Sequence, residues 1–126
     1  MIGAVGLIEM DIDPDRKLVR ARMSGLLTVH EVEAFSRQEQ SLVRGMGLSS
    51  GEFYLLVETE GNVVQTQEVM DAFHNLARHS ELKAKRIATV RAGALARMQS
   101  RRLSDVRSDT EVFNDVASAE EWLFKA

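Results

Sequence analysis

The chain has 126 residues, the size of one domain. An apolar share of 44% beside 28% charged residues excludes a disordered composition, and the absence of cysteine removes disulfide frameworks, thiolate metal sites and thiol nucleophiles together while fitting a reducing cytoplasm. A formal charge of −3 argues against a dedicated nucleic-acid binder, and no window approaches the roughly 20 apolar residues of a membrane-crossing helix.

In chain order, Ala4 to Ile12 is β-compatible, and the apolar opening Met1 to Ile8 lacks a basic leader and runs into Glu9, Asp11 and Asp13, so it reads as a strand and not as a signal peptide. Asp13-Pro14-Asp15-Arg16 is a turn, because proline fixes φ and the aspartates bond their own backbone. Leu18 to Leu27 follows as a second strand, with Val19, Ala21 and Met23 on one face and Arg20, Arg22 and Ser24 on the other. The two strands form a hairpin. Thr28-Val29-His30-Glu31 has the form of a capping box and starts a helix. Val32, Phe35, Leu42, Val43 and Met46 are its packed face, Arg37, Gln38, Gln40 and Arg44 its wet side, and Gly45 or Gly47 its stop.

Phe53 to Val57 is a continuous apolar run, the pattern of a central strand covered on both faces. A second helix spans Thr66 to Ser80 and packs Val69, Met70, Phe73, Leu76 and Ala77; a strand at Arg86 to Arg91 comes next. Ala92 to Val106 predicts a third helix, with Leu95, Met98, Leu103 and Val106 as its apolar stripe and Arg97 and Arg101 one turn apart outside it. Glu111-Val112-Phe113 is a brief last strand, and Ser118 to Glu121 a second capping box ahead of Trp122 and Leu123. The order β-β-α-β-α-β-α-β-α, with right-handed crossovers, predicts one α/β domain: a mostly parallel sheet opened by an N-terminal hairpin, with helices packed on it.

Four segments together carry a resemblance: Leu18 to Leu27 with Ser24-Gly25 before a helix, Phe53 to Val57, Arg86 to Val90, and Val112-Phe113-Asn114-Asp115 followed by Ala119 to Leu123. Over nearly the whole chain this pattern is similar to the STAS fold, and specifically to the small bacterial SpoIIAA-like, STAS/SEC14-like proteins. The resemblance implies a regulatory or protein-interaction module, self-associating as a homodimer, or a SEC14-like carrier in which the space between helices and sheet opens around an apolar or lipid ligand. Phosphoregulated STAS antagonists carry an Asp-Ser pair where the loop after the core strand enters the second helix. The matching place here is Thr66-Gln67, so the phosphoswitch does not carry over, and Thr66 reads as a helix cap.

No catalytic signature accompanies the fold. Ser49-Ser50-Gly51 lacks the hydrolase elbow, no glycine cluster matches a phosphate loop, and His30, His74 and His79 have no metal-ligand spacing. Asp11, Asp13 and Asp15 alternate, but Pro14 interrupts them and the glycine and distal glutamate of a calcium loop are missing. Neither a metal nor another cofactor is expected, and the reading is of a non-enzyme. Two surfaces stand out. Glu58 and Glu60 end the core strand at the edge where open α/β sheets bind ligands, close to Met70 and Phe73. Arg91, Arg97 and Arg101 form a basic run able to meet a carboxylate or phosphate, without the interleaved aromatics that bind single-stranded nucleic acid. The leading expectation is a module that engages a protein partner; its rival is a carrier with a pocket at Glu58, Glu60, Met70 and Phe73 and the arginines on an anionic head group.

Overall fold

Strand β1 (Leu7–Asp13) is turned back onto β2 (Leu18–Ser24) by a short 3-10 turn at Pro14–Arg16, in a computed structural model that describes residues 6–60, 63–91, 98–99, 101 and 109–125. Pro14 supplies the φ of the first turn position. The Asp13 carboxylate accepts from the Arg16 backbone and pairs with its guanidinium at 2.8 Å, which holds the Asp13 carboxyl below the usual carboxylate range. Lys17 completes the reversal at φ 55. The antiparallel register runs from Leu7 opposite Ser24 to Asp13 opposite Leu18.

Helix α1 (Val29–Gly45) starts in the expected capping box, the Thr28 hydroxyl accepting from Glu31 N and the Glu31 carboxylate from Thr28 N. It stops at Gly47, whose φ of 73 belongs to the left-handed region, while Leu48 N donates back to Val43 O. Strand β3 (Tyr54–Thr59), helix α2 (Gln67–His79), strand β4 (Arg86–Val90) and strand β5 (Thr110–Phe113) follow, with Thr66 capping α2 by accepting from Val69 N. Strands β2 to β5 are parallel, and their order across the sheet is the order in the chain, β1-β2-β3-β4-β5. The helix expected over Ala92 to Val106 falls almost wholly outside the described residues; 98, 99 and 101 are helical.

The last helix, α3 (Val116–Leu123), begins ahead of the box expected at Ser118. Asp115 is the cap: its carboxylate accepts from Ser118 N at 2.8 Å, a bond that also holds its carboxyl below the usual range. Two side chains competed for one role, and the earlier start puts Val116, Ala119 and Leu123 on a single buried face.

Alternation along the strands sorts the core into two layers. Val19, Ala21, Met23, Leu55, Val57 and Ile87 meet α1 and α2 on one face; Leu18, Leu56 and Ala88 meet Ala119 and Leu123 of α3 on the other. Helix α3 lies mainly over β3, β4 and β5 and reaches Leu18 at the start of β2. Beyond Leu18 the same face of β1 and β2 carries cross-strand charge pairs, Arg20 with Asp11 at 2.7 Å and Arg22 with Glu58 of β3 at 3.6 Å.

Arg86 clamps α3 from the sheet. Its Nη1 donates to the carbonyls of Trp122 and Lys125, each at 2.8 Å, and the guanidinium lies 5.6 Å from the centroid of the Trp122 ring. A helix of 8 residues depends on such a partner for its last carbonyls. Arg86→Ala is therefore expected to cost about 2 kcal/mol. Fluorescence of Trp122, the only tryptophan, should shift red ahead of the global transition in denaturant; a single coincident transition at the parental midpoint contradicts the clamp.

A candidate ligand cavity between sheet and helices

Because β2, β3 and β4 are parallel, the chain leaves all three at the same edge: Ser24-Gly25 after β2, Thr59-Glu60 after β3 and Arg91 after β4. This is the edge at which open α/β sheets hold ligands. Gly25 makes the first exit at φ 70, where a side chain is disfavoured. Behind the edge, between the sheet and the two helices above it, lies a cavity of about 110 Å³.

Its floor is Met23, Leu55, Val57 and Ile87 of the sheet, and its roof Phe35, Met70, Phe73 and Leu76 of the helices. The Phe35 and Phe73 rings meet edge to face at 6.5 Å and join α1 to α2. Small side chains at Ser36, Ala77 and Ala84 then fail to fill the space beneath. Polar groups stand at the two ends. At the mouth, Arg91 is only 6% exposed and donates from Nη2 to Val63 O at 2.7 Å; burial pushes its guanidinium below the ordinary value. Thr89 is buried two residues before it on the wall, and Thr110, in register with Ile87, is buried toward the other end of β4. At the far end, buried Glu39 accepts from the Gln40 amide at 2.5 Å, and Gln40 holds both N and O of Leu82.

The mouth is strapped by Gln65. Its side chain accepts from Leu27 N at 3.0 Å and donates to Gly25 O at 3.1 Å, while its own backbone N and O are bonded by the Gln99 amide, both at 3.0 Å. One residue thus ties the exit of β2, the loop before α2 and the segment after β4. Each strap point adjoins an exposed apolar side chain: Leu26, Val64 and Met98 are 42–53% exposed.

The sequence-derived site divides across the sheet. Glu60, Met70, Phe73 and Arg91 line the cavity. Glu58 does not: strand alternation puts it on the opposite face from Val57, paired with Arg22, whereas Glu60 lies past the strand end. The Thr66 hydroxyl is engaged as the α2 cap, Arg101 is exposed and not part of the wall, and Arg97 lies outside the described residues. Gln40, assigned to the wet side of α1, is 7% exposed, because its amide pairs with the Leu82 backbone. Glu39, Gln65 and Gln99 had no signal in the sequence. The partners of Gln65 and Gln99 lie 34 to 40 residues away, and no local spacing marks such a partner. Among the described residues no three histidine, aspartate or glutamate side chains gather as a metal site, and no helix is long and apolar enough to cross a membrane.

No family model matches this chain, and no curated protein matches it. Among solved structures it is similar to an uncharacterized protein of the DUF3478 family with a SpoIIAA-like fold from Shewanella loihica PV-4. The similarity covers 98% of this chain and 96% of that one, at a TM-score of 0.61 and 18% identity. The fold of this protein is SpoIIAA-like, as its element order implied. At that identity the likeness concerns the backbone alone.

Proposed function

We propose that this protein is a non-enzymatic SpoIIAA-like binding module whose ligand is a small apolar molecule held between the sheet and helices α1 and α2. The cavity carries this reading. A well-packed interface between a sheet and two helices leaves few voids larger than a water molecule, whereas this one leaves about 110 Å³ lined mainly by apolar side chains. Size narrows the class. An engineered apolar cavity of about 150 Å³ takes benzene, and pockets for drug-sized ligands run to about 300–1,000 Å³. The occupant is therefore of roughly benzene size, and a two-chain lipid does not fit the closed form.

Native mass spectrometry of the protein purified from its own cells tests the reading. The expected result is an adduct that denaturation releases. Ala77→Leu, which places a larger side chain in the void, should abolish the adduct and raise stability by about 1 kcal/mol in urea unfolding. A bare protein mass together with a destabilised Ala77→Leu variant contradicts the proposal, since a filled site cannot accept the added carbons.

A second reading, engagement of a protein partner, has its own support in Leu26, Val64 and Met98, whose exposed apolar groups ring the strapped mouth. Cross-linking in cell extract should capture a partner at this rim, and Leu26→Asp with Met98→Asp should abolish that capture without altering the circular dichroism spectrum.

A further inference from the structure

Resting on the cavity reading, we infer that the ligand is a small uncharged alcohol or phenol, with its apolar body against Met70 and Phe73 and its hydroxyl on Thr89 and Thr110. The polar groups of the cavity wall make the case. Thr89 and Thr110 are 5% and 2% exposed, and neither hydroxyl has a hydrogen-bond partner among the described residues. Two other hydroxyls on the same wall are bonded inside the protein: Thr59 donates to Val90 O at 2.9 Å and Ser80 to Leu76 O at 2.6 Å. A buried hydroxyl without a partner bears the cost of leaving water, and a ligand that bonds it removes that cost.

The sheet register explains why the two threonines are unpaired. Thr89 stands between Val57 of β3 and Val112 of β5, and Thr110 stands beside Ile87. The side chains that flank them across the sheet are hydrocarbon and offer neither donor nor acceptor. Both threonines share one face, on adjacent strands and two residues out of step, so their Cα atoms are about 8 Å apart. A substituted molecule of roughly benzene size reaches either hydroxyl. A ligand hydroxyl donates and accepts as a threonine hydroxyl does, so the bond forms in either sense.

The charges on the wall favour a neutral ligand. Glu39 accepts from the Gln40 amide, Arg91 donates to Val63 O, and each has a further interaction within the protein. Glu60 is exposed at the rim, where water solvates it. A charged ligand would leave water without a free counter-charge inside, a cost that an uncharged one avoids.

Titration of the full chain followed by protein NMR tests the inference. Two probe pairs exchange a methyl for a hydroxyl, toluene with phenol and ethylbenzene with benzyl alcohol; benzoate and benzylammonium are the charged probes. In a wholly apolar cavity the hydrocarbon wins each pair, because water holds the hydroxyl compound more strongly. Here phenol or benzyl alcohol should bind at least as tightly as its hydrocarbon, and more tightly than either charged probe. Thr89→Val or Thr110→Val should weaken that compound about fivefold or more relative to the hydrocarbon, and serine at the same position should keep the preference. Both valine variants should fold, since no bond inside the protein is lost; should one fail, the ratios in the unaltered protein and in the other variant decide. Hydrocarbons that bind more tightly in both pairs, a charged probe that equals phenol and benzyl alcohol, or ratios unmoved by both valine variants overturn the inference and leave the cavity reading standing. Failure of all six probes to bind overturns both.

Discussion

Phe53→Ala is expected to destabilise the protein by about 3–5 kcal/mol, the largest effect of any single substitution considered. Phe53 has no exposed surface and is the largest of the fully buried side chains among the described residues. It lies just before β3 in the layer beneath α1 and α2, and its carbonyl accepts from Lys85 N at 2.7 Å, so the backbone cannot follow the lost ring inward without breaking the approach to β4. Truncation therefore forfeits both the transfer free energy and the contacts around the hole. A domain with about 5–15 kcal/mol in hand would lose a third or more of it. Urea unfolding followed by circular dichroism measures the loss. A cost below about 1 kcal/mol would mean that this layer is already loose enough to collapse around the missing ring, contradicting the packing described above.

Gln65→Ala has the second largest expected effect, about 2–3 kcal/mol, by a different route. The substitution removes no core volume. It leaves Leu27 N without its acceptor and Gly25 O without its donor in a turn where both residues are buried, and such groups bear the full cost of desolvation. Gln65→Glu separates the two bonds: its carboxylate accepts from Leu27 N but cannot donate to Gly25 O, so an intermediate loss is expected. Hydrogen exchange at the Leu27 amide reports the effect locally and should accelerate in Gln65→Ala more than exchange at amides inside β3. Equal acceleration throughout the sheet would show that Gln65 acts on global stability and does not strap the mouth.

Most of the fold was legible because its determinants are local. Alternation placed Val19, Ala21 and Met23 on one face of β2, the Thr28 to Glu31 spacing placed the start of α1, and the apolar run after Phe53 identified a strand buried on both sides. The α3 start shifted because Asp115 and Ser118 are both competent caps, and only the burial of Ala119 and Leu123 chooses between them. The candidate site was half legible. Glu60, Met70, Phe73 and Arg91 could be placed near one edge from chain order, but the side of the sheet that Glu58 faces depends on where β3 ends. The cavity was implied by the SEC14-like resemblance and demanded by no pattern of residues. A void is what remains when Phe35 and Phe73 meet across two helices and Ser36, Ala77 and Ala84 stay short, and each of those residues is ordinary by itself.

Strand order that repeats chain order has a bearing on biosynthesis. Each strand from β2 to β5 finds its neighbour already made when it leaves the ribosome, so the sheet can lengthen by one βα unit at a time without reopening an earlier pairing. The final helix then joins the last part of the chain to the first: Arg16 of the opening hairpin bonds Glu120 at 3.1 Å across 104 residues, with its guanidinium 5.0 Å from the centroid of the Phe124 ring. A nascent chain halted before residue 116 would carry the hairpin and the parallel strands with the back of β3 and β4 still bare. Leu18, Leu56 and Ala88 would then be open to chaperones until α3 emerges and covers them.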